Sequence, residues 1–215
     1  MLRAAGLDAY GADVFFEGAD WDDPRVRELI DAGHVKEIAA DGLIPYDDAS
    51  FDLVISNQVL EHIEDLRPVL AELGRVLKPG GSMYHHFPSR EVLREGHIGI
   101  PLAHRLRPGR FRTLYTLTLR RLGFGSFKDE YPTAREWTDA KLAWIDTYCF
   151  YRSYSKLRAE LADGYSLHHH EIDYCRFRAA GRPTLERLLS VRVLRVPIEH
   201  TFRRLAFMAI EQRRV

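Results

Sequence analysis

The sequence predicts an α/β fold with a doubly wound, mostly parallel sheet and one inserted lid. Segments typical of strands alternate with segments typical of helices along the first part of the chain. Leu53, Val54 and Ile55 follow one another without a polar break, as a parallel strand buried on both faces requires. Apolar residues then recur at helical spacing, at Leu60, Ile63, Leu66, Leu70, Leu73 and Leu77. Strand and helix alternating at this pace is typical of a parallel sheet with helices on both faces.

The elements before that strand are expected to be short. Residues 7–13 have the pattern of a short strand that enters a turn. Asp22 and Asp23 offer capping carboxylates ahead of Pro24, which suits the first turn of a helix, and Gly33 ends that helix. Residues 35–38 are strand-like.

The rest of the chain is expected to complete one domain over residues 1–215. Lys78-Pro79-Gly80-Gly81 should end the long helix, and residues 82–87 should form the next strand. Residues 97–146 are irregular and rich in proline, aromatic and basic side chains, which predicts a partly helical lid over a substrate. The remaining expectations are a helix over 154–161, a strand over 166–178, mixed structure over 184–205 and a final strand over 205–212.

Composition narrows the class of protein. Hydrophobic residues make up 46% of the 215 residues, which is enough for one core. The 31 basic residues balance the 31 acidic ones, so we expect no nucleic acid as a partner. No apolar run approaches the ~20 residues of a membrane span, and no secretion signal is seen, so we expect a cytoplasmic protein. Oligomeric state, including a homo-oligomer, is left open.

One long block of sequence carries a family resemblance. It runs from Asp41-Gly42 and Pro45-Tyr46 through Phe51-Asp52 and Leu60-Glu61-His62 to Leu77-Lys78-Pro79-Gly80-Gly81. In this order, over about forty residues, the motifs closely resemble the middle of small-molecule class I S-adenosylmethionine-dependent methyltransferases. The resemblance implies a Rossmann-like methyltransferase fold, S-adenosylmethionine as cofactor, and a small-molecule or glycan-like acceptor.

The resemblance also implies which residues bind the cofactor. Asp13 resembles the acidic residue that accepts hydrogen bonds from the ribose hydroxyls, although a turn or helix-cap aspartate is the alternative. Asp41 resembles the acceptor of the adenine amino group, and Gly42 lets the base approach the backbone. Residues past the buried strand should line the floor beneath the methionine moiety: Asn57, Gln58 and Val59. All follow predicted strands, so we expect them to converge at one rim of the sheet.

Two histidines are the candidate catalytic residues. His62 belongs to the matching turn and is a general base, a substrate ligand or a residue at a helix start. His97 lies in a stretch, residues 94–104, that resembles a Glu-Pro-His-x-Gly-x-Pro element of methyltransferases of cell-surface glycan clusters, with Gly96 in place of the proline. A turn histidine is the alternative there, and His86 is a further candidate base. No metal is expected at residues 168–170, three histidines in a row without a third convergent ligand.

One part of the family pattern is missing. Such a fold opens with a strand and a Gly-x-Gly turn that precede the ribose ligand by ~20 residues, but only twelve residues precede Asp13. We therefore expect the chain to lack that strand and turn and to bind S-adenosylmethionine weakly or not at all. Either the sequence starts inside a longer reading frame or is truncated, or it is a remnant that has lost catalysis. The alternative function is thus a non-catalytic, methyltransferase-like binding protein.

Overall fold

The computed structural model describes residues 2–15 and 23–214. The helices are α1 Pro24–Asp31, α2 Leu66–Val76, α3 Arg110–Arg121, α4 Ala134–Tyr148, α5 Tyr154–Leu161, α6 Glu171–Ala179, α7 Pro183–Ser190 and α8 Arg195–Leu205. The strands are β1 Gly11–Asp13, β2 Val35–Glu37, β3 Phe51–Asn57, β4 Leu77–Phe87, β5 Tyr165–His169 and β6 Met208–Arg214. The chain forms two compact units, the first from Met1–Asp52 and Arg67–Pro79 and the second from Leu53–Leu66 and Gly80–Val215.

The first unit contains a two-stranded parallel sheet. Strands β1 and β2 pair so that Asp13 lies opposite Glu37. The ring of Tyr46 packs edge-on against Tyr10 and Phe51, with centroid separations of 5.9 Å and 5.0 Å. Because parallel strands end at the same edge of a sheet, the segments that follow β1 and β2 begin side by side.

The second unit contains a four-stranded sheet in the order β3-β4-β6-β5. Strand β6 is antiparallel to both β4 and β5, which therefore run in the same direction. Buried His85 of β4 ties the sheet together, since Nδ1 lies 2.7 Å from Ser56 Oγ and Nε2 lies 2.6 Å from Gln212 Oε1. Burial lowers the pKa of His85 to about 4, so the ring is neutral at physiological pH. The α/β fold is confirmed, and the strand directions agree with the mostly parallel sheet that was expected: β1 and β2 run parallel, β4 and β5 share one direction, and β6 runs against them.

Residues 97–146 are largely helical. Helices α3 and α4 pack on each other, and Trp137 of α4 is fully buried in a cluster with Ile98, Ile100, Ala103, Leu142 and Ile145. The Trp137 indole nitrogen donates a hydrogen bond to the Ser126 carbonyl oxygen at 3.0 Å. The predicted partly helical character of this segment is confirmed, while its role as a lid stays a prediction.

Several local predictions are confirmed. Helix α1 begins where expected, because the Asp23 carboxylate accepts a hydrogen bond from the Arg25 backbone N–H at 2.8 Å. Strand β2 and helix α5 lie within one residue of their expected bounds, and the final strand β6 lies within three, while the expected strand over 7–13 is reduced to β1. The other predicted cap, Asp22, lies outside the described residues.

Other local predictions were wrong. The strand expected over 166–178 ends at His169, and helix α6 follows, because Ile172, Cys175 and Ala179 are spaced to share one buried helical face. The helix expected from Leu60 is a 3-10 turn, Leu60–His62, and α2 begins only at Leu66. The Arg152 guanidinium binds the carbonyls of residues 60, 63 and 64, which removes them from helical hydrogen bonding. Gly80 and Gly81, which were expected to end the long helix, lie within β4 instead.

Strand β3 is more exposed than the sequence predicted. Leu53 and Ile55 are each 50% exposed, although burial on both faces was expected. They are two residues apart and so lie on the same face of the strand. The difference arises because the described residues leave this face of β3 half uncovered.

Candidate active site

His62 is held in place by the turn that follows β3. Its imidazole Nδ1 lies 2.7 Å from the Tyr148 carbonyl oxygen, which can only accept a hydrogen bond. Nδ1 of His62 therefore carries the proton and Nε2 carries a lone pair. The turn itself is fixed by Phe150, whose backbone N–H donates to the Glu61 carbonyl oxygen at 2.7 Å.

His97 meets His62 edge to edge. The Nε2 atoms of the two rings are 3.1 Å apart, although the residues are separated by 35 positions in the chain. The Trp144 ring packs against both imidazoles, with centroid separations of 5.9 Å to His62 and 5.0 Å to His97. The structure thus brings together the two histidines that the sequence offered separately as catalytic candidates.

The fully buried carboxylate of Glu95 contacts the His97 ring at Nδ1. Glu95 Oε1 lies 2.7 Å from His97 Nδ1 and also accepts the Tyr151 hydroxyl, and Oε2 accepts the Ile98 backbone N–H. Burial alone would raise the pKa of Glu95, but the hydrogen bonds from His97, Tyr151 and Ile98 outweigh it and lower that pKa below its ordinary value. Glu95 is therefore ionised, and it orients His97 with Nδ1 as the donor.

These contacts leave room for one additional proton. With both Nδ1 atoms acting as donors, two lone pairs would face each other across the 3.1 Å gap between the Nε2 atoms. A proton shared between the Nε2 atoms removes that repulsion, and the Glu95 carboxylate stabilises the resulting positive charge. The arrangement can accept a proton at Nε2 and hold it between the rings. Burial lowers the pKa of His62, so that ring releases its proton readily near neutral pH.

Two further ionisable groups lie in or next to this cluster. Glu61 is 2% exposed, and neither of its carboxylate oxygens has a hydrogen-bond partner among the described residues. Burial raises the pKa of Glu61 to about 7. The Cys149 Sγ lies 4.0 Å from His62 Nδ1 and 3.9 Å from His97 Nδ1, and burial raises the pKa of its thiol to about 12. Cys149 is therefore a neutral thiol at physiological pH.

His62, His97 and Cys149 are the candidate metal ligands among the described residues. One ligand atom of each lies within 4.8 Å of the others. However, the Cys149 sulfur faces the Nδ1 atoms, which are already engaged by Tyr148 and Glu95, so the donors do not converge on one point. We therefore assign no metal here. The histidines at 168–170 are occupied separately, by partners that include Ser166, Tyr154, Glu171, Asp173 and Glu211.

Three of the predicted cofactor residues lie in the first unit. Asp13 ends β1, and its Oδ1 accepts the Phe15 N–H at 3.3 Å. Asp41 follows β2, and its Oδ1 accepts the Leu43 N–H at 3.0 Å. Gly42 has a positive φ of 77°, and no atom lies within 4 Å of the position that a Cβ would take. Each aspartate thus keeps a second exposed oxygen, and Gly42 leaves open backbone, as a nucleoside would require.

The other three lie in the second unit, past the end of β3. Asn57 Oδ1 lies 2.9 Å from Nδ1 of His86, and the Gln58 side-chain nitrogen lies 3.4 Å from that atom. Gln58 has a positive φ of 56°, which marks a sharp change of chain direction after the strand. Val59 is half-exposed. The convergence of these residues with Asp13 and Asp41 stays a prediction.

Comparison with known proteins finds methyltransferases. Residues 1–85 match the model of a family described as a methyltransferase domain. The structure of an S-adenosylmethionine-dependent methyltransferase from Mesorhizobium loti aligns with 99% of this chain and 83% of its own, with a TM-score of 0.52 and 17% identity. The chain is thus similar to a methyltransferase domain over its first 85 residues, and its fold resembles that of the Mesorhizobium loti protein. Both findings agree with the resemblance seen in the sequence and with the S-adenosylmethionine cofactor that it implies.

Curated relatives match this chain over part of their length. A probable S-adenosylmethionine-dependent methyltransferase from Mycolicibacterium smegmatis is 32% identical over 110 residues, which cover 45% of this chain and 40% of that protein. A ubiquinone biosynthesis O-methyltransferase from Methylococcus capsulatus is 31% identical over 91 residues, covering 42% of this chain and 38% of that protein. The chain thus spans about two fifths of the length of these relatives.

Sequence reasoning missed several residues of the histidine cluster. Glu95, Cys149 and Tyr151 were given no role, and Trp144 was one of several lid aromatics. Only Glu95 carried a usable signal, since an acidic residue two positions before a histidine can reach its Nδ1.

Among the described residues, no helix combines the length and the apolar character needed to cross a membrane.

Proposed function

We propose that this chain transfers the methyl group of S-adenosylmethionine to an oxygen or nitrogen nucleophile of a small or glycan-like acceptor. The observation that carries the proposal is the 3.1 Å contact between the Nε2 atoms of His62 and His97, backed by buried Glu95. When bound, S-adenosylmethionine supplies a methyl group that is already activated by its sulfonium. The protein's remaining tasks are to position the acceptor and to remove its proton.

The residues present fit the cofactor. Asp13 and Asp41 each have one carboxylate oxygen that is engaged in a turn and one that can accept from hydroxyl or amino groups. The two aspartates follow neighbouring parallel strands, β1 and β2, and so lie at one edge of that sheet. Asp13 would hold the ribose hydroxyls, and Asp41 with Gly42 would hold the adenine. Asn57, Gln58 and Val59 would lie beneath the methionine part.

The histidine pair provides the proton acceptor. Before reaction the pair has lost its shared proton, and each Nε2 carries a lone pair. An acceptor hydroxyl that attacks the methyl carbon, displacing the sulfur as a neutral thioether, would pass its proton to Nε2 of His62. That proton would then be shared with His97 Nε2, where the Glu95 carboxylate stabilises the charge. A nitrogen acceptor that starts protonated would give its proton to the pair first, because only then is its lone pair free to attack.

The segment 97–146 takes part in building this site. It carries His97 at its start and Trp144 near its end, and Tyr148 at the end of α4 anchors His62. A lid that carries half of the proton acceptor would complete the site only when it is closed on the rest of the chain. This role would exclude water from the reacting atoms.

A labelled-methyl assay tests the proposed function. The chain is incubated at saturating S-adenosylmethionine, isotopically labelled in its methyl group, with a panel of small hydroxylated, amino and glycan acceptors, and products are detected by mass spectrometry. We expect labelled product from the wild type and from the control His200→Ala, which changes an exposed histidine of α8. The double variant His62→Ala/His97→Ala should lose about 10²–10⁴-fold in rate. Equal rates from the double variant and the wild type would overturn the proposal.

The exposed face of β3 favours a second candidate, a non-catalytic binding protein. Leu53 and Ile55 leave an apolar edge strand open, which is a surface suited to pairing with another chain. This candidate predicts no labelled product with any acceptor. It also predicts self-association of the chain that is lost in Ile55→Lys, as measured by sedimentation equilibrium.

A further inference from the structure

A basic cavity lies beside the histidine cluster in the second unit. Its volume is about 440 Å³, and its walls come from the start of α3, the end of α4 and the segment that leads into α5. Six basic residues line it: Arg90, Arg105, Arg107, Arg112, Arg152 and Lys156. The acidic residues of the wall are Glu64 and Asp146, and Glu160 faces Arg152 and Lys156 from behind. Cations therefore outnumber carboxylates two to one.

Much of this positive charge is left without a carboxylate. The Arg105 guanidinium donates to the carbonyl oxygens of residues 90 and 91, which orients the group but does not neutralise it. The guanidinium groups of Arg90 and Arg107 have no hydrogen bond or ion pair among the described residues. The cavity thus presents three uncompensated guanidinium groups to its interior or mouth.

Two further features of the wall favour an anion. Arg112 is 5% exposed and forms a bidentate pair with Asp146, yet its Nε–H has no partner among the described residues. Helix α3 begins beside the cavity, and its N-cap residue Gly109 provides no side-chain cap. The first turn of α3 therefore has no side-chain cap, and its positive dipole end lies near Arg107, Pro108 and Arg112 of the cavity wall. From residue 97 to residue 127 the sequence contains no aspartate or glutamate.

We infer that this cavity binds an anionic group, a phosphate or a carboxylate, carried by the methyl acceptor. The inference rests on the proposed function, because the cavity and the histidine cluster share two wall residues. Cys149 lines the cavity and contacts both imidazoles, and Tyr151 lines it while its hydroxyl binds Glu95. A molecule with its anion among the arginines would lie next to Cys149 and Tyr151, which contact the histidine cluster. The acceptor class is therefore a small or glycan-like molecule that carries a phosphate or carboxylate.

Phosphate binding tests the cavity without any methyl transfer. Isothermal titration calorimetry with inorganic phosphate is compared with sodium chloride at equal ionic strength. The variant Arg90→Gln/Arg107→Gln removes two cations that make no structural contacts through their guanidinium groups, so it should fold. The matched control Arg121→Gln/Arg178→Gln removes two exposed cations outside the cavity wall. We expect the cavity variant to weaken phosphate binding at least about tenfold and the control to leave it unchanged.

The remaining outcomes of the phosphate titration distinguish a failure of this inference from a failure of the proposed function. Phosphate that does not bind, or binds equally to both double variants, would overturn the inference whether or not the chain methylates anything. Phosphate binding that follows the cavity variant supports it even if no methyl transfer is found, in which case only the proposed function fails. Vesicles containing phosphatidylglycerol, compared with phosphatidylcholine alone, separate the source of the anion. Binding to the charged vesicles but not to soluble phosphate would assign a membrane surface and contradict a cavity for a single anionic group.

Discussion

Glu95 and His97 form a buried acid–imidazole pair, with Oε1 of the carboxylate 2.7 Å from Nδ1 of the ring. Because this pair fixes the tautomer of His97, the opposite nitrogen of the ring is aimed at His62. A side chain from the turn after β3 and one from the segment 97–146 are thereby joined into one proton-accepting unit.

The unit predicts non-additive kinetics. His62→Ala and His97→Ala should each lower kcat by about 10²–10⁴-fold, because either change leaves a single ring to hold the proton. The double variant should be no slower than the worse single variant, since residues that act as a unit do not lose activity independently. The measurement is kcat for labelled methyl transfer in all four chains. Losses that multiply in the double variant would show that the histidines act separately.

Buried Glu61 predicts an unusual dependence of stability on pH. Its pKa is raised from 4.5 to about 7, mainly by burial and in addition by Glu95, with opposing effects of its own backbone N–H and of His97. The folded state therefore keeps a proton that the unfolded state loses, so the contribution of Glu61 to stability is fully present below pH ~4.5 and is lost as pH rises to ~7. A shift of this size corresponds to about 3 kcal/mol.

Glu61→Gln should remove that fall in stability. The free energy of unfolding, measured by urea denaturation between pH 4.5 and 8, should be less pH-dependent in Glu61→Gln than in the wild type by about 3 kcal/mol. Glu28→Gln, which changes an exposed glutamate of α1, serves as the control and should follow the wild type. Parallel curves for all three proteins would show that Glu61 is not desolvated in solution.

Asp13 predicts a charge requirement for cofactor binding. Asp13→Asn keeps the turn contact to the Phe15 N–H but weakens the acceptor offered to the ribose hydroxyls. Loss of a charged hydrogen bond of about 1.5–3 kcal/mol should raise the Kd for S-adenosylmethionine by about tenfold or more. Equilibrium dialysis measures it, with Asp31→Asn at the exposed end of α1 as the control. An unchanged Kd in Asp13→Asn would remove Asp13 from the cofactor site.

Packing around Trp137 gives a matched pair of glycine variants. Gly125 and Gly123 have similar positive φ values, 103° and 96°, so alanine is strained at both. A Cβ at residue 125 would lie 2.9 Å from two Trp137 ring atoms, whereas at residue 123 it would meet nothing within 4 Å. Gly125→Ala should therefore be less stable than Gly123→Ala by about 1–3 kcal/mol in chemical denaturation. Equal stabilities would contradict the close approach of Trp137 to the chain at Gly125.

Sequence patterns predicted the elements whose signals are local. The Asp23 cap, the Phe51–Asn57 strand and the Tyr154–Leu161 helix depend on neighbouring residues, and each was found close to its expected bounds. The turn at Leu60–His62 was missed because Arg152, about ninety positions later in the chain, binds its carbonyls. No periodicity near residue 60 contains that information.

The candidate site also combines features with a local sequence signal and features that depend on long-range contacts. His62 and His97 could be chosen one by one from motifs, but their contact depends on how residues 97–151 return to the turn after β3. Cys149 and Tyr151 join the cluster through that return and had no sequence signal of their own. The sequence contains several basic residues between 105 and 121. It does not reveal that some of them line one cavity, because the cavity forms only in the folded chain.

The proposed function depends on a proton shared between His62 and His97. Titration of ¹⁵N-labelled histidines by NMR observes it directly in the wild type and in Glu95→Gln. We expect the titration midpoint of His62 to fall when the Glu95 carboxylate, which favours the charged ring, is removed. A His62 midpoint that is unchanged in Glu95→Gln would contradict the shared proton and with it the proposed catalytic unit.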